Sequence, residues 1–288
     1  MTWGFSSYET RFRWAAAVWV VLMTFWCMSP FPWQVRLTGA AIWLGVTVLI
    51  SLWVAWWRPR SERDVPIFLC FNHVAEQPVE AAHPEQTISP RALETLILNL
   101  KAAGYRLQTA SEAIAAPDRK SVVMTFDGGA RNAFFELFPI LRRLNAKATC
   151  LIPAHDPLDA DQLRVLEIQE MMRSGLVEFG ATLTADQAAS ATLKDDVVRT
   201  RRWMTGVLGR QPETFSLPDG AEVQTVREAI VAAGYRYLFT KGKYMRPVAE
   251  NPLDIHRRMI PGNRRPLQIY LLATRGRYRV GSSLKQSR

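Results

Sequence analysis

Histidine and cysteine are scarce in this chain, four and three among 288 residues. No Cys-x-x-Cys pair, Ser-His-Asp arrangement or glycine-rich phosphate loop can be read along it, which removes the thiol-redox, triad-hydrolase and nucleotide routes to chemistry. Three cysteines supply no disulfide framework. Cys27 lies in an uncharged run, while Cys70 and Cys150 fall in predicted core strands, where an unbridged thiol packs as a small hydrophobe. Internal repeats and low-complexity tracts are absent. Charge is missing altogether from Trp14 to Trp33 and again from Leu37 to Trp57, each run about the 20 residues that cross a hydrocarbon core as a helix.

These two runs are read as a membrane hairpin at residues 1–57, with spans at about 14–33 and 37–57. A cleaved signal peptide is the competing reading of the first run, which follows Arg11 and Arg13. That run is long and tryptophan-rich, lacks a small-residue cleavage site, and leads at once into a second apolar run. Arg11 and Arg13 precede the first span, Arg58, Arg60 and Arg63 follow the second, and the connection carries only Arg36, so both ends are expected on the cytoplasmic side. Trp14, Trp33, Trp56 and Trp57 fall where an amphipathic ring suits the headgroup level. Residues 58–64 form a charged linker containing Pro59.

The formal charge of +10 raises the question of an anionic partner. No nucleic-acid module with interleaved aromatics is present, so nucleic acid is not expected. Arg257, Arg258, Arg264, Arg265, Arg275, Arg277, Arg279, Lys285 and Arg288 crowd the last part of the chain, and anionic lipid attracts such clusters at about 1 kcal/mol per residue. Plain solubility is the blander reading, and a phosphorylated, lipid-linked sugar would feel the same charge.

From residue 65 to about 280, short apolar runs alternate with amphipathic segments. Leu93, Leu96, Ile97 and Leu100 keep helical spacing behind Ser89 as cap and Pro90 in the first turn. Segments 130–144 and 225–233 behave alike and end near Gly or Asn. Such alternation predicts an α/β domain with a parallel sheet or barrel, followed by a disordered basic tail at 281–288. Ser121 to Phe126 reads as a buried strand that delivers Asp127 to a tight turn through Gly128 and Gly129. Asp127 is then either the polar partner of that turn or a binding residue.

The order of several segments resembles the polysaccharide deacetylase, or NodB-homology, family (carbohydrate esterase 4-like). The likeness runs over roughly residues 65 to 265. Thr125-Phe126-Asp127-Gly128-Gly129 is similar to the family's Thr-Phe-Asp-Asp-Gly. Val65 to Val74 is similar to its first strand, which ends in a Tyr-His pair at the places of Phe71 and Asn72. Phe138-Pro139-Ile140-Leu141, Ala148 to Ile152, and Ala232 to Arg236 with Phe239-Thr240 match later elements. The resemblance implies a distorted, incomplete (β/α) barrel and a metal-dependent carbohydrate N-deacetylase, a hydrolase of non-peptide C–N bonds using zinc or another divalent ion. The first acid acts as general base, and the second is a ligand alongside two histidines. Here Gly128 stands for the second acid, Thr182 and Asp186 for the histidines, and Ser216 for an arginine in Phe215-Ser216-Leu217-Pro218-Asp219-Gly220. The expected cofactor is therefore none.

A different metal site built from Asp127, His155, Asp156, Thr182, Asp186 and Asp219 is the less favoured alternative, since His155 and Asp156 lie in a Pro-bounded loop where Asp makes turn hydrogen bonds. His73 is read as a structural histidine or a pocket residue, and His83 and His256 show no partner pattern. Asp127 is the family's base position; Asn72, His73, Asp127, Thr182, Asp186 and Asp219 are the candidate substrate-binding residues. Three functions follow from this reading. The first is a catalytically impaired partner in bacterial glycan biosynthesis or export, at the inner (cytoplasmic) membrane with its domain in the cytoplasm, binding a sugar or a synthase. The second is an active hydrolase of an N-acylated, lipid-linked amino sugar with an altered metal site. The third is a membrane scaffold.

Overall fold

The computed structural model describes residues 32–56, 65–76, 87–154, 159–217, 223–241 and 251–275. The chain divides into two compact units, Met1–Arg60 and Ser61–Arg288. Of the first, only the helix α1, Trp33–Trp56, is described. It takes in most of the second predicted span; the first span, the linker 58–64 and the tail 281–288 lie outside the described residues, apart from Pro32 and Trp33. No helix among the described residues is long and apolar enough to cross a membrane.

In the second unit the apolar runs become parallel strands. β1 (Ile67–Phe71) leads through the two-residue strands β2 (His73–Val74) and β3 (Thr87–Ile88) into α2 (Pro90–Ala102), then β4 (Arg106–Leu107), the short α3 (Ala110–Ala115) and β5 (Ser121–Asp127). A π-helical turn, Ala133–Leu137, and α4 (Phe138–Leu144) precede β6 (Ala148–Ile152); α5 (Val165–Arg173) precedes β7 (Val177–Ala181); α6 (Ala185–Ala189) and α7 (Leu193–Leu208) precede β8 (Thr214–Ser216). α8 (Val223–Ala233), β9 (Tyr237–Lys241), β10 (Ile255–Met259) and α9 (Pro266–Arg275) complete the order.

Hydrogen bonding runs β1–β5–β6–β7–β8–β9–β10 and returns from β10 to β1, every pairing parallel. The ring therefore closes with seven strands, one fewer than a full (β/α)₈ barrel. β4 shares Val122 with β1 and so lies on the other side of β5, below the start of β6. The sequence signals for the helices act as expected: the Ser89 hydroxyl accepts from the Ala92 N–H at 3.2 Å with Pro90 in the first turn, and Asn145 ends α4 in the left-handed region.

Alternation along each strand divides two apolar sets. Leu69, Val122, Met124, Cys150, Phe179 and Phe215 belong to the large core under the helices. Phe68, Val123, Leu151, Phe239 and Ile255, from the five consecutive strands β9–β10–β1–β5–β6, meet inside the ring together with Ala110 and Ala113 of α3. α3 thus plugs the end where the strands begin. Its first turn is tied there by Ala110 N–H to Thr149 Oγ1 and Ser111 N–H to Glu178 Oε2, both at 2.9 Å. Inward space is fully used at Gly180, where a β-carbon would stand 2.1 Å from Thr214 Oγ1 and 2.6 Å from Leu151 Cδ2. Gly180→Ala is therefore expected to lower stability by about 1–3 kcal/mol, the usual cost of overpacking, measured by urea unfolding of the full chain; an unchanged midpoint would show that the interior can give way.

Candidate functional site

The strands end together at one face, and inward positions there carry polar side chains from different sides of the ring. β5 supplies Thr125 and Asp127, β8 supplies Ser216, and β10 supplies Arg257. Arg257 is fully buried, with 0% exposure. Its two terminal nitrogens clasp the Asp127 carboxylate in a bidentate pair, Nη1 to Oδ1 at 2.6 Å and Nη2 to Oδ2 at 2.8 Å. Nη1 also donates to Thr125 Oγ1 at 2.9 Å and Nη2 to Ser216 Oγ at 2.6 Å, while the Ser216 hydroxyl donates to Asp127 Oδ2 at 3.0 Å. The Cys70 thiol approaches Oδ2 at 3.7 Å, and the guanidinium lies 5.6 Å from the centroid of the Phe239 ring. A buried guanidinium needs this kind of planar, charge-assisted partner, because desolvation alone would make it prohibitive. Burial and the Asp127 charge together push the Cys150 thiol up to about 12.

Arg257 is the functional residue that reading the sequence missed. Two members of the basic cluster near the chain's end are not surface residues: Arg257 is inside the barrel, and Arg258 is half-buried and donates to the carbonyls of Leu272 and Ala273, at 3.0 and 2.7 Å, in the last turn of α9. The available signal was the alternation Ile255, Arg257, Met259 in a strand, which puts an arginine on an inward register position. Asp127 is not the simple turn partner, since both of its oxygens accept from Arg257 while the side chain keeps 16% exposure.

Gly128, Thr182 and Asp186, which the resemblance sets at the family's metal positions, do not form a ligand set. Gly128 has no side chain and takes φ +104°, a conformation that an acid would adopt only under strain. Its turn is fixed otherwise: the Gly128 N–H donates to Leu151 O at 3.0 Å, and the Gln162 amide, with its nitrogen turned toward them, donates to the carbonyls of Gly128 and Gly129, each at 3.0 Å. Thr182 is buried just after β7 and gives its hydroxyl to Ser216 O at 3.0 Å. Asp186 is exposed in the first turn of α6. Among the described residues, no three His, Cys, Asp or Glu side chains gather as a metal would require. Asp219, His83, His155 and Asp156 lie outside the described residues.

Asn72 and His73 follow β1 at the same end of the ring. Asn72 Oδ1 and His73 Nδ1 are buried atoms without a hydrogen-bond partner among the described residues. Burial lowers the pKa of His73 below its ordinary value, which favours the neutral ring at neutral pH. Asn72, Asp127, Asn132 and Cys150 also line a cavity of ≈ 10 Å³ beneath the glycine turn, room for about one water molecule. His256 directly precedes Arg257 in β10 and lies 3.3 Å from Asp254.

The geometry can be set beside known proteins. A family model described as polysaccharide deacetylase matches residues 115–238, the stretch from the end of α3 into β9 that includes Asp127, Gly128, Thr182 and Ser216. No curated protein matches the chain. Among solved structures, the deacetylase PplD of Streptococcus pyogenes, in complex with acetate, superposes with a TM-score of 0.63 at 21% identity, covering 73% of this chain and 97% of its own. IcaB from Ammonifex degensii gives a TM-score of 0.61 at 21% identity over 73% of this chain and 97% of its own. A polysaccharide deacetylase from Bacillus cereus gives 0.62 at 20% identity over 71% and 67%. At such identities the superpositions speak for the fold. The family model falls on the strands that carry most of the site, so residues 115–238 match the polysaccharide deacetylase family.

Proposed function

We propose that this chain is a membrane-anchored, catalytically impaired polysaccharide deacetylase-like protein. In this reading it acts in bacterial glycan biosynthesis or export by holding a sugar or a glycan-synthesis protein. The observation that carries the reading is the clasp on Asp127. A general base must present a carboxylate oxygen to water, whereas both Asp127 oxygens face Arg257 and one also accepts from Ser216. Something must also bring the pKa of water toward neutrality, and the positions that would hold a metal carry a glycine, a buried threonine and an exposed helix aspartate.

A retained binding role is supported by Asn72 and His73, whose buried unpartnered atoms are complementary to a hydroxyl or amide of a ligand. Asp186 and Asp219 are the further acceptors in this reading, while Asp127 and Thr182 act by holding the strand ends in place. Anchoring in the cytoplasmic membrane is supported by the two uncharged runs and their flanking arginines. The arginine distribution favours a cytoplasmic domain.

Elemental analysis of the purified chain is expected to find no stoichiometric zinc, and Gly128→Asp is expected to create no activity on an N-acetylated oligosaccharide. One metal bound per chain, or turnover by that single variant, would sink the impaired reading. Asp127→Asn and Arg257→Met are each expected to cost about 3–5 kcal/mol, since either strands a buried partner. The double change Asp127→Leu with Arg257→Met should cost no more than either single one in chemical denaturation, and simple additivity would mean that the pair is not coupled. A reporter fused after residue 288 should give signal only if it is of a kind that works in the cytoplasm; signal from an export-dependent reporter instead would reverse the topology.

A further inference from the structure

Charge in the domain is polarised along the barrel axis. In a parallel β/α ring each helix returns antiparallel to the strands, so the helix-to-strand turns collect where the strands begin and the strand-to-helix connections collect at the Asp127 end. The six helix-to-strand turns, 101–106, 116–120, 142–147, 173–176, 209–213 and 234–236, hold ten basic and two acidic residues, a net charge of +8. The described residues of the strand-to-helix connections, 72–76, 87–89, 128–132, 153–154, 159–164, 182–184, 217 and 260–265, hold four basic and three acidic residues, a net charge of +1.

Helix dipoles explain part of this. Cations are favoured in the last turn of a helix, and Lys101 and Lys120 do reach carbonyls, those of Leu144 and Ala103. They do not explain Arg119 and Arg210, which stand in turns beyond the helices. Arg106, Arg143, Lys147 and Arg236 are in ion pairs with Asp118, Glu94, Glu112 and Glu213. Arg119, Arg142, Arg173 and Arg210 are exposed and form no ion pair among the described residues. Val65 and Pro66 run directly into β1, so the described part of the domain also begins at this end.

We propose that the basic end of the barrel lies on anionic lipid, with the Asp127 end turned away from the bilayer. The inference deepens the membrane-anchored reading and rests on it. A flat field of phosphates matches basic groups delivered by six separate turns around one end of a ring, each adding a modest electrostatic attraction. The opposite end, with a net charge of only +1 on the described residues of its connections, is drawn far less to the same surface, which sets the orientation as well as the contact. The shallow turns offer no exposed aromatic for base stacking, which disfavours RNA as the partner.

The test is hydrogen exchange on the full-length chain in nanodiscs of phosphatidylcholine alone or with phosphatidylglycerol. The turns 116–120, 142–147 and 209–213 are expected to exchange several-fold more slowly in the anionic discs, while 128–132 and 159–164 exchange alike in both. The difference should vanish at about 0.5 M salt, where screening is short-ranged. It should also vanish in Arg119→Glu/Arg142→Glu/Arg210→Glu, with circular dichroism confirming an intact fold, and shrink in the corresponding Gln variant. Equal exchange in both lipids, protection at the Asp127 end, or stronger protection of the same turns by a mixed-sequence RNA at equal salt would overturn the proposal. Should the chain fail to remain in phosphatidylcholine discs, the anchor itself is wrong. Flotation of the detached chain with phosphatidylglycerol vesicles then decides the surface proposal: co-flotation supports it, and its absence overturns it.

Discussion

A guanidinium with no solvent exposure needs partners that satisfy both its charge and its N–H groups, and the strand ends of this barrel are arranged around that requirement. Arg257 comes from β10, Asp127 from β5 and Ser216 from β8, so one group of hydrogen bonds spans the ring. Removing either charge leaves the other buried in a low-dielectric interior, which is far costlier than the net worth of the pair. The clasp therefore orders both the mouth of the barrel and the position of its central carboxylate.

The remaining interior follows the same logic of internal satisfaction. At the opposite end, Glu178 and Thr149 accept the first N–H groups of α3, so the plug helix is held by strands it crosses. Between β7 and β8 the ladder has a single registered pair, Ala181 with Phe215, and the Thr182 hydroxyl adds a bond to Ser216 O just above it. Thr182 thus closes the weakest seam of the ring, and its hydroxyl is committed to the backbone. Asn72 Oδ1 and His73 Nδ1 differ from these groups in having no such internal partner among the described residues.

The fold was largely legible because its signals are local. Alternating apolar segments, the Ser89 cap with Pro90, and the turn at Asn145 each specify an element without help from the rest of the chain. The site was legible only in part. Asp127 announced itself through the glycines after it, and the substitutions at Gly128, Thr182 and Ser216 were visible against the family pattern. Arg257 was not, because composition cannot tell an inward arginine from a surface one; that depends on strand register and on a partner 130 residues away. Arg258, beside it, points to a different environment, the carbonyls of α9, as expected for adjacent residues of a strand.

The glycine turn shows why a change at one residue does not by itself rebuild a metal site. At Gly128 a β-carbon would meet no atom within 4 Å, so space is not the obstacle. The obstacle is conformation: φ of +104° imposes about 1–3 kcal/mol on a residue with a side chain, and the turn is held there by the Leu151 carbonyl and the Gln162 amide. An acid at 128 must either bear that strain or break those bonds, and it would still face an Asp127 turned toward Arg257. Releasing Asp127 requires another partner for a fully buried guanidinium, or its removal. Each position on its own resists the change, because its neighbours have settled around the present residue.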